Sequence, residues 1–127
     1  MLFCQHAFAQ ELIDGTYHIK SVEDLKAFAT KVNNGENTAN AILACDLDLN
    51  NIPHTPIGTN DSPYMGHFDG GTHSISNIFI YNTSQPQQGF FGTIGGGCVI
   101  ENLVIESGRI QGDKACAGLV GACRGNA

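Results

Sequence analysis

Side chains able to do chemistry are few in this chain and stand apart from one another. Five histidines (His6, His18, His54, His67 and His73), twelve carboxylates and five cysteines are spread over 127 residues. His67 and His73 bracket Phe68-Asp69-Gly70 and so could converge on Asp69. Two imidazoles beside one carboxylate could begin an acid–base pair or a metal site. The same residues serve a tight turn equally well, with Asp69 bonding the turn backbone, and that structural reading is preferred. Asp46 and Asp48 alternate with Leu47 and Leu49, which turns both carboxylates outward from one strand. Calcium takes about six to eight converging oxygens, and one strand edge supplies too few, so a solvated face is expected there. Gly95-Gly96-Gly97 precedes a strand (Cys98-Val99-Ile100) instead of a helix, which leaves no helix N-terminus to hold phosphate. Gly-x-Ser-x-Gly, His-Glu-x-x-His and the phosphate-binding loop are all missing. The expectation is therefore no catalytic residue, no cofactor and no metal.

What the sequence does carry is repetition between Gly66 and Gly121. Ile75-Ser76-Asn77-Ile78-Phe79-Ile80 returns 25 residues later as Ile100-Glu101-Asn102-Leu103-Val104-Ile105. Gly89-Phe90-Phe91-Gly92 returns 29 residues later as Gly118-Leu119-Val120-Gly121. Two motifs repeating in one order at a period in the twenties indicate a solenoid of stacked units. Strict alternation would put Ile75 on one face and Ile78 and Ile80 on the other, so the chain is expected to bend at Ser76-Asn77 and reset its parity. Asn tolerates the left-handed conformation that such a corner needs. Asn77 and Asn102 are expected at equivalent corners of successive coils. The glycines flank short apolar strands, where they supply positive φ or close backbone approach.

Gly118-Leu119-Val120-Gly121 resembles the GLUG motif of bacterial surface proteins, adhesins and the repeat regions of IgA-peptidase-type proteins. The resemblance runs over residues 17 to 121. It takes in Asp46-Leu47-Asp48-Leu49, Pro56-Ile57-Gly58, Gly66-His67-Phe68-Asp69-Gly70 and Ile75-Ser76-Asn77-Ile78 in order. Gly89-Phe90-Phe91-Gly92 departs from it in bulk but keeps apolar residues between glycines. The expected fold is mainly β: a right-handed parallel β-helix-like solenoid fragment, right-handed by analogy, with one N-terminal capping α-helix. The structural motif residues are then Asn77, Asn102, Gly89, Gly92, Gly118, Gly121, Asp69 and Gly70. The resemblance implies a non-catalytic exported cell-surface module for adhesion or spacing. An alternative is the N-terminal part of a carbohydrate-active β-helix enzyme, or an accessory segment of a surface peptidase. Such an enzyme needs a long groove with clustered carboxylates, and Arg109, Lys114 and Arg124 have no acidic cluster beside them in sequence.

Charge narrows the partners. The net charge is −6, with only six Lys plus Arg, scattered singly. Phosphate neutralisation needs a basic patch, so nucleic acid is excluded as an expected partner. No apolar run approaches the roughly 20 residues of a membrane span. The expected partners are an extracellular glycan or protein surface and further repeats of the same parent chain. Ala7-Phe8-Ala9 before Gln10 reads as the tail of a truncated signal peptide over residues 1–9, leaving 10–127 as the solenoid domain. Cys45, Cys98, Cys116 and Cys123 then remain. An exported chain could pair them, but most lie among small or apolar residues, which favours buried thiols. No Cys-x-x-Cys suggests zinc.

The elements that position these residues follow. Thr16-Tyr17-His18-Ile19 reads as a strand. Ser21 then caps a helix over about 22–33, whose Val22, Leu25, Phe28, Ala29 and Val32 share one face that would cover the first coil. Residues 50–65 and 82–88 read as polar loops that display variable contacts. After Gly121 the chain continues as Arg124-Gly125-Asn126-Ala127 with no capping element in view. A fragment of a longer protein, self-associating when alone, is expected from that.

Overall fold

The computed structural model describes residues 11–82, 89–112 and 119–123. The expectations for residues 1–9, Lys114, Cys116, Gly118 and Arg124 fall outside the described residues. The protein is mainly β with one helix. In chain order the elements are β1 (Glu11–Ile13), β2 (Thr16–Ile19), α1 (Val22–Asn33), β3 (Asn40–Leu43), β4 (Leu47–Asp48), β5 (His67–Asp69) and β6 (Ser74–Ser76). They continue with β7 (Ile78–Asn82), β8 (Phe91–Ile94), β9 (Val99–Glu101), β10 (Val104–Ile105), β11 (Gly108–Gly112) and β12 (Val120–Cys123).

Helix α1 starts where its sequence says it must. Ser21 Oγ accepts the Asp24 amide at 3.1 Å, and the Asp24 carboxylate accepts from Lys20 N at 3.0 Å. Glu23 and Asp24 in the first turn and Lys31 in the last both suit the helix dipole. Leu25, Phe28, Ala29 and Val32 are buried. Phe28 meets the rings of Tyr17, Tyr64 and Phe68 at 5.8, 5.9 and 6.1 Å between centroids.

Among the described residues only the first hairpin is antiparallel: β1 and β2 turn through Asp14 and Gly15, both left-handed, as a two-residue hairpin prefers. Every other strand pairing is parallel. One sheet has the order β1-β2-β3-β5-β9, a second β10-β6-β4, and two further ladders pair β11 with β7 and β12 with β8. Isolated bridges from Pro53 to Phe79, Ile57 to Phe91 and Tyr64 to Ile94 lengthen the last two ladders. Register puts like beside like. Tyr17, Ala41, Phe68 and Ile100 stand in one line across the first sheet. Leu47, Ile75 and Ile105 do so across the second. Inside, Phe68 meets Phe90 and Phe91 edge-on, and Tyr64 stacks on Phe91 at 5.7 Å.

The bend at Asn77 resets parity: Asn77 has φ 55°, and Ile75, Ile78 and Ile80 are all buried. The 25-residue recurrence, however, does not set the stacking. Ile75 pairs with Ile105, not Ile100, and Ile100 pairs with Phe68. Asn77 therefore sits at the corner between the second and third ladders, level with Ser107, while Asn102 sits at the corner between the first and second, level with Thr72. Ile-x-Asn-hydrophobic-x-Ile marks one kind of corner, a left-handed Asn between inward apolar residues, and the chain makes that corner at two places. The other recurrence does coincide with a register, because Phe91 stands opposite Val120 and so Gly92 opposite Gly121.

Residues 50–65 are a correction of a second kind. They do not form a free display loop, for Ile57 and Tyr64 are fully buried and Ser62 nearly so. Tyr64 donates its hydroxyl to Ala39 O at 2.8 Å, and Ser62 Oγ donates to Val32 O at 2.6 Å. Asn33 holds the same segment at the end of α1, donating to Pro56 O at 3.0 Å and accepting from Gly58 N at 2.8 Å.

Candidate functional site

The ionisable side chains gather along the corners beside the first and second sheets, because parallel ladders bring the same turn of the chain back to the same place. Three aspartates there use one oxygen in the same way. Asp48 Oδ1 accepts from Asn50 N and from Asn77 Nδ2, each at 2.9 Å. Asp69 Oδ1 accepts from Gly71 N at 2.8 Å and from Asn102 Nδ2 at 3.2 Å. Asp46 Oδ1 accepts from Ser74 N at 3.0 Å and lies 3.1 Å from His73 Nδ1. In each case one partner comes from the neighbouring strand of the ladder, some thirty residues along the chain: 29 for Asn77, 33 for Asn102 and 28 for Ser74.

These bonds favour the charged carboxylates. The Asp48 carboxyl is held below its ordinary value chiefly by the Asn77 amide, then by Asn50 N. Asp69 is lowered first by Gly71 N and then by Asn102, and Asp46 first by Ser74 N and then by His73. A carboxylate stabilised in this way is a poor proton acceptor at neutral pH, which suits a fastening role better than acid–base work.

The two turn histidines do not converge on Asp69. His67 Nε2 pairs with Glu101, its neighbour-but-one across the β5–β9 ladder, and His73 pairs with Asp46. His67 and Asp69 share one face of β5, but Asp69 Oδ1 is taken by Gly71 N and Asn102, the His67 ring reaches across the ladder to Glu101, and His73 turns to Asp46 beyond the turn. Among the described residues, no three His, Cys, Asp or Glu side chains gather where a metal could be held.

Of the motif residues, Asn77 and Asn102 share left-handed backbone (φ 55° and 56°) and the same aspartate partner type, although they occupy different corners. Gly70 lies against the next turn of chain: a Cβ there would come within 2.3 Å of Asn102 O and 2.5 Å of Leu103 Cα. Gly89 and Gly92 are buried, and Gly92 N donates to Ile57 O at 2.9 Å. Gly121 lies within β12.

The thiols also differ from expectation. Cys45, Cys98 and Cys123 are free, but Cys123 is exposed where a buried position was expected. Cys45 Sγ donates to Lys20 O at 3.2 Å. Burial, with a smaller contribution from Cys123, pushes the Cys98 thiol up to about 11, so it stays protonated and unreactive at neutral pH.

One site gave no signal in the sequence. His54, between two prolines, stacks flat on Phe90 at 4.7 Å, and its Nε2–H donates to Phe90 O at 2.9 Å. A carbonyl only accepts, so the ring is the neutral Nε2–H tautomer. Burial lowers its pKa to about 4. Neither the spacing of His54 nor its polar surroundings in sequence mark an aromatic partner 36 residues away.

Two curated proteins are similar to this chain. A protein of Evansella cellulosilytica described as a Gly-rich membrane protein is 38% identical over 84 residues, which cover 66% of this chain and 10% of that protein. Halomucin of Haloquadratum walsbyi is 28% identical over 124 residues, covering 88% of this chain and 1% of halomucin. The chain thus spans a tenth or less of the length of either relative. No protein-family model matches the sequence. No solved structure matches it either.

Proposed function

We propose that this chain is a non-catalytic module of an exported cell-surface protein, serving adhesion or acting as a structural spacer with GLUG-type repeats. Its ladders are read as successive turns, or rows, of a right-handed parallel β-helix-like solenoid, with α1 as the N-terminal cap. The observation that carries the reading is the use made of the corner side chains. Asp46, Asp48 and Asp69 are bonded to Ser74, Asn77 and Asn102 of the adjacent strand, and His67 to Glu101. Groups that could act on a substrate instead fasten one row to the next. The name of the Evansella relative, a Gly-rich membrane protein, supports a place at the cell envelope. No helix among the described residues is long and apolar enough to cross a membrane. The partners of such a module are an extracellular glycan or protein surface, and further repeats of the same parent chain.

Brief protease treatment of intact cells of the native host, followed by peptide mass spectrometry, tests this. Release of peptides from this chain without release of cytosolic markers is expected. Recovery of the chain only after lysis, in the cytosolic fraction, would contradict it.

A further inference from the structure

Among the described residues, the last strand of each of the four ladders is paired on one side only. β9, β10, β11 and β12 are each terminal in their sheet order. The backbone of β9 shows which groups face away from β5. Val99 N donates to Gly66 O at 3.0 Å and Glu101 O accepts from Gly70 N at 2.7 Å, both on the β5 side. In a parallel strand alternate residues bond to opposite neighbours, so the N–H and C=O of Ile100 face outward. In the second sheet Val104 N donates to His73 O and Glu106 N to Ile75 O, which turns the groups of Ile105 outward in the same way.

The side chains agree with the backbone. Phe68 and Ile75 are fully buried, whereas Ile100 and Ile105, their counterparts in the last row, are only half-buried. Leu103 and Val120 are half-buried too, while Val99, Val104 and Leu119 are 46%, 49% and 39% exposed. Among the described residues, no layer lies above these inward-facing side chains.

We infer that this end is an acceptor edge for one more parallel row of the same kind, with apolar residues in register with Ile100, Ile105 and Val120, supplied by further polypeptide of the same protein. The inference rests on the β-helix reading. Three observations choose this occupant. β3 and β5 are each covered by a parallel strand, and the outer edge of β9 has the same chemistry as the edge of β5 that β9 covers. The described residues of a second copy do not offer such a row. At its other end β1 runs antiparallel, and α1 takes the place of strands: Asn33 and Val32 bond to Pro56, Gly58 and Ser62, at the start of the fourth ladder. Two copies meeting at their open ends would pair antiparallel about a two-fold axis instead. Finally, both relatives are at least ten times longer than the stretch that matches.

The register supplies the test. Cys123 stands opposite Ile94, so a second copy of residues 95–123 fused directly after Cys123 places Val99, Ile100 and Ile105 equivalents over the originals. Amide hydrogen exchange is compared in the full chain, in this fusion, and in a fusion carrying the same residues shuffled. Exchange at Ile100 and Ile105 should slow about 10-fold or more in the native-order fusion alone. Equal exchange in the two fusions would overturn the proposal, as would a native-order fusion that no longer protects the Gly70 and Glu106 amides. Protection of Ile100 in the full chain that rises with protein concentration would also overturn it, in favour of a second copy. Loss of Gly70 and Glu106 protection in the unextended chain would instead remove the β-helix reading itself.

Discussion

The side-chain amide of Asn77 donates to Asp48 Oδ1 at 2.9 Å, joining residues 29 apart in the chain at one corner of the fold. Asn77 also accepts the strain of left-handed backbone, and Ser107 Oγ receives its N–H at 3.0 Å. One residue thus makes a corner and fastens it to both neighbours.

Replacing Asn77 by Ala removes the side-chain amide and keeps a Cβ at φ 55°. Ala is expected to be less stable than the parent, because it lacks the side-chain amide that lets Asn tolerate left-handed backbone and that donates to Asp48. Asn77→Gly relieves the strain but not the lost bond, and should be milder. Urea unfolding of the two variants checks the order, and an Ala variant as stable as the parent would contradict it.

Gly70→Ala drives a Cβ against the backbone of Asn102 and Leu103, whereas Gly97, with φ 84°, has open space around it. Gly70→Ala is expected to cost about 3 kcal/mol or more, and Gly97→Ala about 1–2 kcal/mol from backbone strain alone. Thermal unfolding of both separates crowding from strain.

How much of this was legible in the sequence depends on the range of the interaction. Helix α1, its Ser21 cap and its buried face follow from spacing within a dozen residues, and the Asp69 turn bond from spacing within three. The parity change at Asn77 was legible as well, because Ile75, Ile78 and Ile80 cannot all face inward in a straight strand. Stacking partners were not. The offset between paired strands runs from 24 residues for Tyr17 and Ala41 to 32 for Phe68 and Ile100, since connections of unequal length intervene. A fixed period read from one recurring corner motif therefore pairs the wrong rows. The aromatic partner of His54 was invisible for the same reason.

His54 should make stability depend on pH. Its pKa is lowered from 6.5 to about 4 by burial, so the native state favours the neutral ring. The contribution is fully present above about pH 6.5 and is lost as pH falls towards 4. Its size is about 2–3 kcal/mol after allowing for the solvent-facing part of the residue. Unfolding free energies measured from pH 7 to 4 should fall in the parent and fall less in His54→Gln. Parallel pH profiles would contradict the assignment.

The corner carboxylates act lower on the scale. Asp46, Asp48 and Asp69 are all lowered from 3.8, so their bonds contribute above that value and are lost as pH drops below it through the folded pKa values. Chemical-shift titration of the three carboxyls should give midpoints below those of Asp in an unfolded peptide. Midpoints at or above the peptide value would mean that the corner bonds do not persist in solution.

Phe28 joins α1 to the rest of the core through Tyr17, Tyr64 and Phe68 and is fully buried. Phe28→Ala should cost about 3–5 kcal/mol in urea unfolding. A loss below about 1 kcal/mol would show that the helix does not hold the first strands.

The central claim is that the polar corners and apolar lines of this chain stack in parallel register, and inter-strand nuclear Overhauser contacts test it most directly. The predicted result is a short contact from the Glu106 amide to the Ser76 α-proton, with Ile75 and Ile105 side chains adjacent and Phe68 beside Ile100. Contacts pairing Ile75 with Ile100, or the close α-proton pairs of antiparallel strands, would contradict it.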